Sequence, residues 1–256
     1  MPFFEKSGAK IYYEESGERK EFNSIVLLNG YMRPMGDFRQ LIRYLVENKY
    51  HVLTIDHRGA GQSESEIDFT MQDLAVDVID VTKSISLKDF SLLGISMGGM
   101  VAQLVAATLG SEISKLYLIS TSSDVRKTPL LELNLAWGQE DLTLHLMRYV
   151  SSDFAKKNMA LIVAMAKQML KSANEGTHYK INAKRQRTAS SQFCAVGLLH
   201  LIKSKTTILH GEEDAIIVCD AANKLHEGIP NSELILIPKV GHLILIEAPQ
   251  RLKDLL

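Results

Sequence analysis

The chain has 256 residues, a length that suits one large α/β domain or two small ones, and its 46% hydrophobic and 23% charged residues are ordinary for a globular protein with a substantial core. A formal net charge of −1 provides no global field to favour nucleic acid, and no apolar run reaches the roughly 18 residues of a membrane span. The two cysteines, Cys194 and Cys219, have neither metal-type spacing nor the density of a disulfide scaffold, which makes a reducing cytoplasm the expected location.

The N-terminus, Met1-Pro2-Phe3-Phe4, carries no signal-peptide pattern. After a Ser7-Gly8 turn signal, residues 10–13 are expected to form an antiparallel edge with the residues before them. Ile-Val-Leu-Leu at 25–28 reads as a buried strand. Residues 38–48 have helical periodicity, with Leu41, Ile42, Leu45 and Val46 on one face. A second strand falls at 52–55. Thr70 and Asp73 resemble a capping box, opening a helix through Ser84 whose inner stripe is Leu74, Val78 and Val81. A strand at 90–93 then leads into Gly94-Ile95-Ser96-Met97-Gly98 and a helix-compatible stretch to 107. Another strand follows at 116–119. From 121 to 187 only helices are expected, around Leu130-Leu131, 142–144 and 161–165. Alternation resumes with a strand at 206–209, a helix at 218–228, a strand at 233–237 and a C-terminal helix. The fold class is therefore α/β, a mostly parallel central sheet with helices on both faces. A helical cap (121–187) is inserted between two core strands, dividing the core into 1–120 and 188–256.

Strand, Gly-x-Ser-x-Gly, helix is the layout of a nucleophile elbow. The sharp turn strains Ser96 and tolerates only small neighbours at 94 and 98, while the following helix N-terminus suits a developing oxyanion. A serine hydroxyl needs a base. Of eight histidines, His242 is best placed, directly after the last strand. His51, His57, His145, His178, His200 and His226 are less well placed, and His210 ends a strand and reads as core. The base needs an acid. Asp214, in the loop after 206–209, is favoured, with Asp124 as a rival. Acyl transfer also needs two backbone donors, expected at Met97 and at Tyr31, beside Gly30.

These stretches resemble the α/β-hydrolase fold family over nearly the whole chain outside the cap. Leu27-Leu28-Asn29-Gly30-Tyr31, the stretch from Asp56-His57-Arg58-Gly59 to Ser63, the Ser96 elbow, His210-Gly211-Glu212-Glu213-Asp214 and Gly241-His242 with Glu247-Ala248-Pro249 occur in the family's order. The likeness is nearest to small carboxylesterases, monoacylglycerol-lipase-like enzymes and biotin-pathway methyl ester esterases. It implies Ser96 as nucleophile, Asp214 as acid, His242 as base, backbone donors at Tyr31 and Met97, loop-bracing roles for Asp56 and Arg58, and no cofactor. Asn29 stands where the family often has histidine, and Ile217-Val218 where it often has proline.

Serine at the elbow implies an acyl-enzyme, so the expected substrate is a small or medium acyl ester. Carbon–carbon bond hydrolysis and a non-catalytic ligand-binding role remain as alternatives. A third, an acyl-carrier-protein methyl ester esterase or thioesterase, rests on charge. Residues 121–193 carry eleven Lys or Arg and six Asp or Glu, a net of +5. A basic cap on an acidic body suits an anionic carrier such as acyl carrier protein or coenzyme A, although a solvated helix surface is the simpler reading. Lys184 and Arg185 are the residues singled out for such steering. The cap's Leu, Ile and Met residues read mainly as its own core.

Overall fold

Val-, Ile- and Leu-rich runs become strands because branched side chains pack well on both faces of a pleat. The computed structural model describes residues 3–6, 8–20, 23–126, 138–175 and 178–256, so the helix expected around Leu130-Leu131 lies outside the described residues. The strands are β1 (Phe3–Lys6), β2 (Ala9–Ser16), β3 (Ser24–Leu28), β4 (His51–Ile55), β5 (Glu64–Ser65), β6 (Phe90–Ile95), β7 (Ile113–Ile119), β8 (Lys205–Gly211) and β9 (Ser232–Ile237). They form one sheet in the order β1-β2-β4-β3-β6-β7-β8-β9, with β5 against β2. From β4 to β9 every neighbouring pair is parallel.

β2 does pair antiparallel with the preceding residues, Phe3 opposite Tyr12. It is not the edge, however. Its second half, Tyr13 to Ser16, pairs antiparallel with Ile55 to Val52 of β4, so β1 is the outer strand. Glu14 and Glu15 face solvent there, and their polarity hides the continuation.

The parallel strands alternate between two cores. One face packs Val26, Leu28, Leu92 and Leu118 against α2 (Met71–Ser84), α3 (Met97–Leu109) and α8 (Cys219–Gly228). The other packs Ile25, Leu27, Leu93 and Ile119 against α1 (Arg39–Glu47), α9 (Ile244–Glu247) and α10 (Pro249–Lys253). The expected capping box is present at α2. Thr70 Oγ1 accepts the Asp73 N–H at 3.2 Å, and the Asp73 carboxylate accepts the Thr70 N–H at 2.8 Å.

Between β7 and β8 lie α4 (Gln139–Met147), α5 (Ser152–Lys157), α6 (Met159–Glu175) and α7 (Tyr179–Ser191). Leu142, Leu146, Val150, Ala155, Ile162 and Ala166 give this helical insert a small core of its own. Its stems are zipped together. The Val125 N–H donates to the Phe193 carbonyl at 3.2 Å and the Ala195 N–H to the Ser123 carbonyl at 2.7 Å. The face that α7 buries is Asn182, Ala183, Gln186, Ala189 and Ser190, which leaves no apolar stripe for periodicity to detect. Among the described residues no helix is long and apolar enough to cross a membrane.

Candidate active site

Parallel strands place the loops that follow them at one edge, and the loops after β3, β6, β8 and β9 converge there. Ser96 sits between β6 and α3 with φ +54° and ψ −118°, a conformation that L-residues avoid. Its neighbours explain the two glycines of the motif. A Cβ at Gly94 would lie 2.4 Å from the Gly98 carbonyl oxygen, and one at Gly98 would lie 2.3 Å from that of Leu28. The turn is pinned from β7: the Ser96 N–H donates to the Ile119 carbonyl at 2.9 Å, and Thr121 Oγ1 donates to the Ser96 carbonyl at 2.7 Å.

Three side chains from distant segments form a line. His242 Nε2 is 3.0 Å from Ser96 Oγ, and His242 Nδ1 is 2.7 Å from Asp214 Oδ2. The other oxygen of Asp214 accepts the N–H groups of Ile216 at 2.8 Å and Ile217 at 2.9 Å. Burial alone would raise the Asp214 carboxyl. Attraction and hydrogen bonding from His242, the nearby His210 and the Ile217 N–H outweigh it and hold the carboxyl below its ordinary range. With Asp214 as acceptor, the Nδ1–H tautomer leaves Nε2 facing the serine hydroxyl as acceptor.

The rival groups have other partners. Asp124 is committed to Arg126 at 2.8 Å, and that guanidinium holds its carboxyl at about 2. His51 contacts Glu15 at 2.9 Å. His57 is buried against the Asn29 carbonyl. His210, expected in the core, is buried but stands directly behind Asp214. Its Nε2 is 2.6 Å from the Ile217 carbonyl and 3.4 Å from Asp214 Oδ2. The four-residue separation of His210 and Asp214 is the one sequence signal for that contact. Asp56 and Arg58 brace loops as expected. Asp56 accepts the Met35 and Gln62 N–H groups at 2.7 and 2.9 Å, and Arg58 forms a buried two-point pair with Asp77 at 2.6 and 2.8 Å.

Tyr31 and Met97 line the same cavity as Ser96 and His242. Tyr31 lies in a turn closed by the Arg33 N–H on the Gly30 carbonyl at 3.2 Å, with Met32 at φ +54°. Asn29 folds this loop: its Oδ1 accepts the Gly30 N–H at 2.8 Å and its Nδ2 donates to the Pro34 carbonyl at 2.8 Å. Gly30 lies beside the nucleophile: a Cβ there would lie 3.4 Å from Ser96 Cβ, in van der Waals contact with it.

The insert supports both sides of this site, which sequence reasoning did not foresee. On one side, Tyr31 Oη donates to the Ala183 carbonyl at 2.9 Å, and Gln186 Oε1 accepts the Met32 N–H at 2.8 Å. On the other, the Tyr149 carbonyl accepts the N–H groups of His242 and Leu243 at 2.9 and 3.1 Å. The Glu247 carboxylate joins the Gly241 N–H at 3.0 Å to the Ser151 N–H at 2.8 Å. Arg185 is occupied with Asp68 at 3.0 Å and with the Ser65 and Glu66 carbonyls at 2.8 Å. It is a fastener of α7 rather than a steering charge.

The cavity beside Ser96 measures about 260 Å³. Its walls are mostly apolar, including Met100, Leu146, Met165, Met169, Ile217 and Leu243, with His145 and Arg187 among the polar members. Within the insert, Ile162 and Ala166 form part of its core, and Met165 and Met169 pack against that core while lining the cavity.

A family model described as the alpha/beta hydrolase fold matches residues 23–249. The uncharacterized hydrolase YugF of Bacillus subtilis is 25% identical, over 98% of this chain and 94% of its own. The pimeloyl-[acyl-carrier protein] methyl ester esterase of Nitrosomonas europaea is 24% identical, over 95% of this chain and 96% of its own. Among solved structures, MGS-M2, an alpha/beta hydrolase enzyme from a Medee basin deep-sea metagenome library, superposes with a TM-score of 0.86 at 19% identity, covering 99% of this chain and 94% of that one.

Proposed function

The chain belongs to the alpha/beta hydrolase fold family, and within that family we propose that it is a serine hydrolase of carboxylic esters with a small or medium acyl chain. The observation that carries the reading is the line from Asp214 through His242 to Ser96, with contacts of 2.7 and 3.0 Å. His242 takes the hydroxyl proton as Ser96 Oγ attacks the ester carbonyl, and Asp214 stabilises the imidazolium. The Tyr31 and Met97 N–H groups receive the oxyanion. The alcohol leaves with the proton from His242, and water then releases the acid by the same route in reverse. We read 121–187 as a cap over a core made of 1–120 and 188–256, with the apolar cavity holding the acyl chain. We place the reaction in the cytoplasm, where the free thiols of Cys194 and Cys219 stay reduced.

A fluorophosphonate probe tests this reading directly. It should label the intact protein and leave Ser96→Ala unlabelled, and p-nitrophenyl esters of graded length should be turned over. An unlabelled, inactive wild-type protein would overturn it.

A second reading, hydrolysis of an ester carried on acyl carrier protein, is favoured by the exposed Lys156, Lys167 and Lys171 on α5 and α6 and by the likeness to a methyl ester esterase of that kind. It predicts that salt and Lys167→Glu/Lys171→Glu slow turnover of a carrier-bound ester while sparing p-nitrophenyl esters. Equal effects on both substrates would count against it.

A further inference from the structure

α7 is polar along its length, yet the Gln186 side chain is fully buried at 0% exposure. Both ends of its amide are used. Oε1 accepts the Met32 N–H at 2.8 Å, and Nε2 donates to the Arg58 carbonyl at 2.8 Å. The amide therefore bridges the loop after β3 to the loop after β4. Arg58 is itself anchored by its two-point pair with Asp77, so the bridge has a rigid far end.

What the near end holds is the turn that carries Tyr31. Gly30 to Arg33 closes as a four-residue turn, and Met32, at its third position, has φ +54°. A non-glycine residue there is strained and persists only where surrounding contacts fix it. The alternative turn, with Met32 at negative φ, differs by reversal of the Tyr31–Met32 peptide. That reversal would point the Met32 N–H away from Gln186. The hydrogen bond to Oε1 therefore selects the observed orientation of the Tyr31–Met32 peptide, and with it ψ of Tyr31, and ties the turn that carries the Tyr31 N–H to α7.

We propose that Gln186, from the helical insert, is a positioning residue for the oxyanion loop, fixing in place the turn that carries the Tyr31 N–H, the donor to the developing negative charge. The inference rests on the Ser96–His242–Asp214 reading above. It makes the insert part of the catalytic assembly as well as a wall of the substrate cavity. Gln186 touches no reacting atom and acts through Met32 and Tyr31.

The test uses full-length Gln186→Met, which keeps length and helix preference while removing both polar groups, and Gln186→Glu, which retains an acceptor for the Met32 N–H. The probes are a p-nitrophenyl ester and butylboronic acid. In the boronate adduct Ser96 Oγ bonds to boron, its proton passes to His242, and the tetrahedral boron centre carries the negative charge near the oxyanion donors. Gln186→Met should lower kcat roughly 10- to 100-fold, less than outright loss of an oxyanion donor, with KM nearly unchanged. The boronate inhibition constant should rise by the factor by which kcat/KM falls, and Gln186→Glu should recover most of kcat. A folded Gln186→Met with wild-type kcat and boronate affinity overturns the proposal, as does a change confined to KM. If only Gln186→Glu folds, collapse of its kcat overturns it, and if neither folds the residue is structural and the proposal falls. A wild-type protein that neither turns over ester nor binds boronate would instead overturn the underlying hydrolase reading.

Discussion

The Tyr149 carbonyl accepts the His242 N–H at 2.9 Å, and the two rings meet edge to face with centroids 5.7 Å apart. A residue at the end of an insert helix thus fixes both the backbone and the ring of the proposed base. Burial, followed by the charge of Asp214, pushes the Tyr149 phenol up to about 12, so it stays protonated through the neutral range. The ring is the supporting element, and the backbone contact survives any side-chain change. Tyr149→Phe is therefore expected to keep wild-type turnover, while Tyr149→Ala should lose about tenfold in kcat and about 3 kcal/mol of stability. Ester kinetics beside chemical denaturation measure the two effects, and equal activity in both variants would remove the ring from the account.

The glycines around Ser96 divide into two kinds. At Gly98 a Cβ would meet the Leu28 and Asn29 carbonyl oxygens at 2.3 and 2.5 Å, and rigid backbone cannot yield to it. At Gly30 it would meet Ser96 Cβ at 3.4 Å and Ser96 Oγ at 3.9 Å, which is van der Waals contact rather than a clash. Gly98→Ala should fail to give folded protein. Gly30→Ala should fold with a melting temperature near wild type and lose turnover, because the methyl group crowds the space beside the nucleophile. Thermal melts with fluorophosphonate labelling separate the cases, and a folded Gly98→Ala would contradict the packing argument.

The parts of this protein legible from its sequence are those with local signals. Glycine spacing marks the elbow, the pair Thr70 and Asp73 marks the start of α2, and positions on the loops that follow strands single out Asp214 and His242 as candidates. What stayed hidden depends on long-range partners. The buried face of α7 is polar because its amide and carbonyl groups bond to loops more than a hundred residues away, as Gln186 does with Met32 and Arg58. Arg185 reads as surface charge in the sequence because its partner Asp68 lies more than a hundred residues away. β2 outruns its apolar stretch because β4 supplies hydrogen bonds to Glu14 and Glu15 whatever their side chains. Periodicity reports which face is apolar, and it is silent where a buried face is built from satisfied polar groups.

Burial brings the His57 imidazole down to about 4, below its ordinary 6.5. As pH falls below about 6.5 the unfolded chain takes up this proton while the folded protein does not. The associated stability is therefore fully present above about 6.5, is lost as pH falls toward 4, and declines no further below that. The loss is at most about 3 kcal/mol. His51, His145 and His210 are shifted in the same direction, with burial again the leading cause, and steepen the decline. Asp214, held below its ordinary range, adds a further loss only below about pH 4. Urea denaturation at intervals from pH 7 to 4.5 should show stability falling with acid, and His57→Gln should flatten that slope. Identical slopes in the two proteins would remove His57 from the effect.

Met165 and Met169 lie one turn apart on α6 and both line the cavity while packing against the edge of the insert's core, which Ile162 and Ala166 help to form. Trimming Met169 thus enlarges the cavity, at the cost of the contacts it makes with the edge of that core. Methionine also adapts to irregular contents, so the wild-type wall is soft. Met169→Ala removes three heavy atoms from the wall of a cavity of about 260 Å³ and makes room for two or three more methylenes. Each added methylene buried is worth about 0.8 kcal/mol, or roughly fourfold in kcat/KM. The chain-length optimum across a p-nitrophenyl ester series should therefore move to longer acyl groups in Met169→Ala and to shorter ones in Met169→Trp. Both variants should keep wild-type labelling by a small fluorophosphonate, because neither change alters Ser96 or His242. An unmoved optimum in both would mean that the acyl group occupies the other side of the cavity, toward Met100 and Ile217.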